Sequence, residues 1–153
     1  MPCAIVVGGQ YGSEGKGKVV SLYCSSLDKP WIVRCGGPNS GHTTSINGKE
    51  TILRQVPAGA SNPEAMLLLA AGCAVDVDVL LQEVNMLSLP RERIIVDPRV
   101  VLIQDSDRKE EVEASEKIGS TGSGTGAALI RRMTRPHNIR LAKDSARLQK
   151  QFA

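Results

Sequence analysis

Gly12-Ser13-Glu14-Gly15-Lys16-Gly17-Lys18 concentrates glycine, lysine and an acid in one short run. Glycine takes up turn conformations that other residues resist, and it leaves backbone N–H groups open to an anion. Lys16 and Lys18 add fixed positive charge. An apolar stretch, Ala4-Ile5-Val6-Val7, precedes the run, and a helical pattern at Val19, Val20, Tyr23, Cys24 and Leu27 follows it. Strand, glycine turn and helix is the order in which N–H groups converge on a phosphate at a helix N-terminus. The chemistry implied is the handling of a nucleoside phosphate. A glycine turn kept for packing is the alternative, and two lysines inside it have no packing role.

The run fits the first part of the pattern G-x-x-x-x-G-K, but the next residue is Val19. The Ser or Thr whose hydroxyl would hold Mg²⁺ is missing, so a metal would draw its ligands from elsewhere. Two further small-residue loops stand out. Gly36-Gly37-Pro38-Asn39-Ser40-Gly41-His42-Thr43 carries a histidine, and Gly119-Ser120-Thr121-Gly122-Ser123-Gly124-Thr125-Gly126 precedes a helix bearing Arg131, Arg132 and Arg135. Composition leaves that third loop open between a flexible linker and a second phosphate cradle.

Positioning these loops requires alternating elements. Trp31–Cys35 reads as a strand after the first helix, giving a β-α-β unit. Asn47-Gly48 between strand-like runs 43–46 and 49–56 predicts a hairpin with a type I′ turn. Leu67–Ala70 reads as a buried strand, and Asp76 or Asp78 can cap a helix with Val79, Leu80, Val84 and Leu87 on its apolar face. Arg93–Asp97 and Arg99–Ile103 are strand-like around Pro98. Asp105–Lys117 reads as a surface helix on which Asp107, Arg108, Glu111 and Glu116 are solvated. The stretch Lys143–Phe152 is amphipathic and ends without a stop signal, so it reads as interrupted.

The chain has 153 residues, the length of one domain with a real core, and 41% of them are hydrophobic, which excludes wholesale disorder. Aromatics are only 3%, so stacking on aromatic platforms is not the binding mode, and a net charge of +3 does not imply nucleic acid. Cys3, Cys24, Cys35 and Cys73 lack C-x-x-C spacing and are expected as free, mostly buried thiols of a reducing cytosol. No signal peptide or membrane-length apolar run is present, and a soluble, cytoplasmic protein is expected.

Three separated segments agree with one family. Gly9-Gln10-Tyr11-Gly12 through Lys18, the loop Asn39-Ser40-Gly41-His42-Thr43, and Ile118 to Gly124 running on to Arg135 resemble adenylosuccinate synthetase, as does Leu53-Arg54-Gln55-Val56-Pro57-Ala58-Gly59 between them. Residues 1–153 correspond to the N-terminal portion of that longer enzyme. The resemblance implies an α/β, P-loop-like core with a largely parallel central sheet and flanking helices. It also implies a ligase that phosphorylates the 6-oxygen of a purine nucleotide (IMP) with GTP or ATP and displaces that phosphate with L-aspartate. Gln10, Gly12, Ser13, Glu14, Gly15, Lys16, Gly17 and Lys18, with Gly41, His42 and Thr43, would hold the phosphates. Lys16 would offset charge on the transferring group, and His42 would donate toward the nucleotide phosphate. Ser13 and the Gly41 carbonyl would face Mg²⁺. Asn39 and Thr121 would contact the purine monophosphate, and Arg135 would reach its 5′-phosphate across a homodimer interface. The chain alone is expected to be inactive.

Position 13 departs from the family pattern, which has Asp there as base and metal ligand. Serine is a far weaker base at neutral pH. The run 121–123 also has Ser where the family usually has Arg. Gly12-Ser13, Pro38-Asn39 and Ile118 to Gly122 are similar instead to the phage-type 2-aminoadenylosuccinate synthetases, which act on (deoxy)guanylate. A synthetase-like protein that binds purine nucleotides without turnover is the third reading.

Overall fold

The computed structural model describes residues 3–10, 12, 14–46, 48–118 and 120–152. Three short aliphatic runs form its parallel sheet: β1 (Trp31–Arg34), β4 (Met66–Leu69) and β6 (Ile94–Val96), in the order β1-β4-β6. Ile32 lies opposite Leu67, and Leu67 opposite Ile94, so one face of the sheet is apolar apart from buried Arg34 opposite Leu69. Leu67, Leu69 and Ile94 on that face are buried in a core shared with Leu53, Val56, Val75, Leu80, Val84 and Val100. The opposite face alternates outward through Trp31, Val33 and Ile95, and Trp31 is 58% exposed. A second parallel pair, β5 (Ala74–Val75) and β7 (Val101–Leu102), continues the α/β pattern.

Helices flank these strands. α1 (Lys16–Ser25) follows the first glycine loop, and α2 (Val77–Met86) begins where Asp76 Oδ1 accepts from the N–H groups of Asp78 and Val79 at 3.0 and 3.2 Å. That cap satisfies helix donors that would otherwise be orphaned. α3 (Asp105–Ile118) and α4 (Thr125–Thr134) are joined by the third small-residue loop, and α5 (Ala146–Phe152) anchors through Leu148. The hairpin β2 (His42–Ile46) and β3 (Lys49–Leu53) pairs Ile46 with Lys49 as expected. Gly48 has φ 75°, while Asn47, on which the turn type depends, lies outside the described residues.

Two expectations fail. Ala4–Val7 forms no strand, and Ile5 and Val7 are 81% and 79% exposed. An apolar run becomes a strand only against a neighbour that takes its N–H and C=O groups, and Ala4–Val7 joins none of the three sheets. The buried stripe of α1 also differs: Gly17 and Cys24 are buried, whereas Val19, Tyr23 and Leu27 are exposed. Small residues win because α1 packs closely on the hairpin. Thr44 Oγ1 donates to the Ala58 carbonyl at 3.0 Å and makes a hydroxyl–hydroxyl contact with Ser21 Oγ at 2.8 Å, tying helix to strand.

Candidate functional site

The first loop turns into α1 through Gly15, whose φ of 74° only glycine adopts readily, and which offers no side chain to cap the helix. Gly12 has φ 122°. Between them Glu14 bends back: its Oε1 accepts from the N–H of Gln10 at 3.0 Å and of Gly12 at 3.2 Å, and its Oε2 meets the Lys16 ammonium. The Lys16 contact first, then the N–H of Gly12, hold the Glu14 carboxyl down to about 2, against the opposing effect of burial. Lys18 lies on the surface and reaches Glu50 at 3.7 Å, a pairing worth little at that exposure. Ser13 and Tyr11 lie outside the described residues.

The second loop is wedged against the first helix. A Cβ on Gly17 would stand 2.7 Å from the His42 Cβ, so only glycine lets α1 and His42 approach this closely. His42 opens β2, is half-buried, and has its pKa lowered by burial, then by the charges of Arg34 and Lys16. At neutral pH it is therefore a neutral imidazole with one N–H to donate. Gly41 is fixed the same way, because a Cβ there would sit 2.6 Å from Ile52 Cγ2. Thr43 pairs with Ile52 across the hairpin, and Asn39 is exposed at the tip of the turn. Beneath the loop, buried Arg34 donates to the carbonyls of Gly37 (3.1 Å) and Arg54 (2.7 Å), while Arg54 Nε donates to the Pro38 carbonyl at 2.9 Å.

The same loop touches the third. A Cβ on Gly37 would overlap the Thr125 side chain, at the start of α4. Asn39–Thr43 is thus held between two helix entrances, and three segments distant in sequence meet. Thr121 is exposed on the third loop. Arg135 is exposed where α4 ends, with φ 51°. Gly119 lies outside the described residues.

Three side chains expected to be solvated are structural. Glu111 reaches from α3 over the third loop and accepts from the N–H of Gly124 (2.8 Å), Gly126 and Ala127 (3.3 Å) and from Ser120 Oγ (3.1 Å). The donors of the presumed second phosphate cradle are therefore occupied by a carboxylate of the chain itself. Asp107 is 1% exposed and binds Arg131 through Nε at 2.8 Å and Nη2 at 2.6 Å. Arg108 pairs with Asp76 at 2.7 Å. Sequence reasoning also missed Glu83, whose carboxylate accepts from three successive N–H groups, Arg54 to Val56, at 2.6–3.0 Å. No spacing rule marks it, since its partners lie 27 to 29 residues away. Of the four free cysteines, Cys24 and Cys73 are buried, but Cys3 and Cys35 are exposed. Among the described residues no three His, Cys, Asp or Glu side chains converge as metal ligands, and no helix is long and apolar enough to cross a membrane.

A parallel α/β core with glycine loops at two helix entrances and a histidine loop between them defines a class, that of proteins whose loops present backbone donors to anions. Family-level comparison matches residues 5–152 to adenylosuccinate synthetase. The chain belongs to the adenylosuccinate synthetase family. It is 46% identical to adenylosuccinate synthetase of Methanocaldococcus jannaschii over 157 aligned positions, covering 97% of this chain and 44% of that protein. It is 44% identical to that of Methanococcus aeolicus, covering 94% and 44% respectively. The chain thus spans less than half the length of these relatives. Among solved structures it resembles cyanophage S-2L succinoaminodeoxyadenylate synthetase (PurZ) bound to dGMP and dATP as an energy donor, with TM-score 0.78, 28% identity and coverage of 94% of this chain and 42% of that one. It also resembles the fully ligated adenylosuccinate synthetase of Plasmodium falciparum, with TM-score 0.73, 25% identity, and 84% and 32% coverage.

Proposed function

We propose that the chain is the nucleotide-handling portion of a ligase that joins L-aspartate to C6 of a 6-oxopurine nucleotide at the expense of a nucleoside triphosphate. The observation that carries this reading is the meeting of the three loops, with Gly17 against His42 and Gly37 against Thr125. An oxo group leaves poorly and a phosphorylated one leaves well, so the reaction divides into phosphoryl transfer and displacement. Gln10, Gly12, Gly15 to Lys18 and Thr43 form the donor-rich wall for the triphosphate. Lys16 stabilises charge on the group in transfer, and the neutral His42 donates its N–H to a phosphate oxygen. Asn39, Thr121 and Arg135 contact the purine monophosphate, Arg135 from a second copy of the chain in a homodimer.

Ser13 and the Gly41 carbonyl are hard neutral oxygen donors. That set suits Mg²⁺, which keeps several waters and is held largely by substrate phosphates, rather than a closed protein cage. When bound, the ion would neutralise charge on the phosphates.

One observation favours a second acceptor. Ser13 stands where the family has Asp, so the carboxylate that would take the purine N1 proton is replaced by a neutral hydroxyl. The likeness to the dGMP-bound cyanophage enzyme supports guanylate or deoxyguanylate as substrate. Aspartate-dependent phosphate release by the natural polypeptide that carries this chain, measured with IMP and with dGMP, tests both. Release with dGMP supports the guanylate reading, and release with IMP alone sinks it. Purine monophosphate binding without release in either case would mark a binding module instead.

A further inference from the structure

The first loop does not stand open. Backbone N–H groups and a lysine ammonium are the donors that hold a phosphoryl oxygen, and here a side chain of the same loop occupies the N–H groups of Gln10 and Gly12 and the Lys16 ammonium. Glu14 Oε1 lies 3.0 Å from the Gln10 N and 3.2 Å from the Gly12 N, and Oε2 is on Lys16 Nζ. The chain makes room for this pair. A Cβ at Gly8 would stand 2.7 Å from Glu14 Oε1 and equally close to Lys16 Nζ. The third loop repeats the arrangement with a carboxylate drawn from another helix, Glu111 on the N–H groups of Gly124, Gly126 and Ala127.

We propose that Glu14 is a tethered stand-in for phosphate: in the ligand-free chain its carboxylate fills the donors of the first loop and neutralises Lys16, and a nucleoside triphosphate binds by displacing it. The proposal rests on the triphosphate reading of that loop given above. No bond is made or broken in the exchange; one set of charge-assisted hydrogen bonds replaces another. A tethered carboxylate acts at an effective concentration on the order of millimolar or more, so a single weak anion does not compete, whereas a polyanion with additional contacts does. Glu14 thereby sets the affinity and selectivity of the loop rather than contributing a contact to the bound nucleotide.

The test is equilibrium and stopped-flow binding of a fluorescent, non-hydrolysable GTP analogue and of inorganic phosphate to the natural polypeptide. Wild type is compared with Glu14→Gln, which keeps size and loses charge, and with Glu14→Ala. Both variants are expected to bind the analogue about tenfold more tightly and to gain measurable affinity for inorganic phosphate. In wild type the observed binding rate should level off at high analogue concentration, limited by departure of Glu14, and in the variants it should keep rising. Equal affinities in all three proteins would overturn the displacement while leaving the triphosphate reading intact. Weaker binding by both variants would make Glu14 a ligand contact, which also overturns it. Absence of binding by wild type and variants alike would remove the triphosphate reading and this proposal with it.

Discussion

Replacing Asp107 by Asn isolates the contact that holds the third loop's helix in place. Asp107 accepts from Arg131 Nε at 2.8 Å and Nη2 at 2.6 Å, and from the Gln104 N–H at 2.7 Å. The Asp107 side chain is 2% exposed and the Arg131 side chain 14%. Asparagine has the same size but one accepting oxygen and no charge, so Arg131 is left in a near-dry site facing an amide. Its Nη1 already lacks a partner, and its one remaining hydrogen bond goes to the Leu102 carbonyl at 2.8 Å. Breaking a buried pair on one side costs about 3–5 kcal/mol. The retained Leu102 bond puts this case at the lower end, about 3 kcal/mol. For a chain of this size each kcal/mol lowers Tm by about 2–4 °C, so the expected drop is about 6–12 °C. Thermal unfolding followed by circular dichroism reads it directly. The double variant D107L/R131M, which removes both charges, should recover most of the loss. A drop smaller than about 2 °C for D107N would refute the argument that this pair is buried and mutually dependent.

Three other outcomes are expected. Burial pushes the Glu111 carboxyl up, but the N–H groups of Gly124 and Gly126, the Ser120 hydroxyl and the Ala127 N–H bring it below its ordinary value overall. Its contribution is therefore complete above the unfolded carboxyl value and is lost as pH falls through the lower folded one. The Tm gap between wild type and E111Q should be widest near neutral pH and close in acid, and a gap constant across pH would contradict this. Gly17→Ala places a methyl 2.7 Å from the His42 Cβ; the helix-propensity gain of about 1 kcal/mol offsets much of the overpacking cost of about 1–3 kcal/mol. The net loss of up to about 2 kcal/mol lowers Tm by up to about 8 °C, with kcat down about tenfold to a hundredfold from a displaced His42, and unchanged kcat would remove His42 from the chemistry. Ser13→Asp should shift the kcat/KM ratio toward IMP over dGMP by about tenfold, and an unmoved ratio would show that position 13 does not choose the acceptor.

Locally encoded features were legible. The strand Trp31–Arg34, the hairpin flanking Gly48 and the Asp76 cap depend on residues within a few positions of one another. Features that failed depend on distant partners. Ala4–Val7 carries a strand's composition, but composition cannot say whether an edge is there to receive it. Glu111 and Asp107 look like any charges on a polar helix, and only the return of the chain 13 to 24 residues later turns them inward. The glycine loops were readable as donors of backbone N–H. That the chain's own carboxylates would sit on those donors was hinted at only by an acid lying between glycines and lysines, and that hint serves Glu14, not Glu111.

Trp31 is the only tryptophan in the chain, and it stands on the uncovered side of the parallel sheet beside Val33. Its indole is therefore an optical probe placed by nature on an exposed apolar face of the strands. Water-exposed indole emits to the red and is open to iodide. Any body settling on β1-β4-β6 would shift that emission to the blue and shield it, without a label and without touching the nucleotide loops.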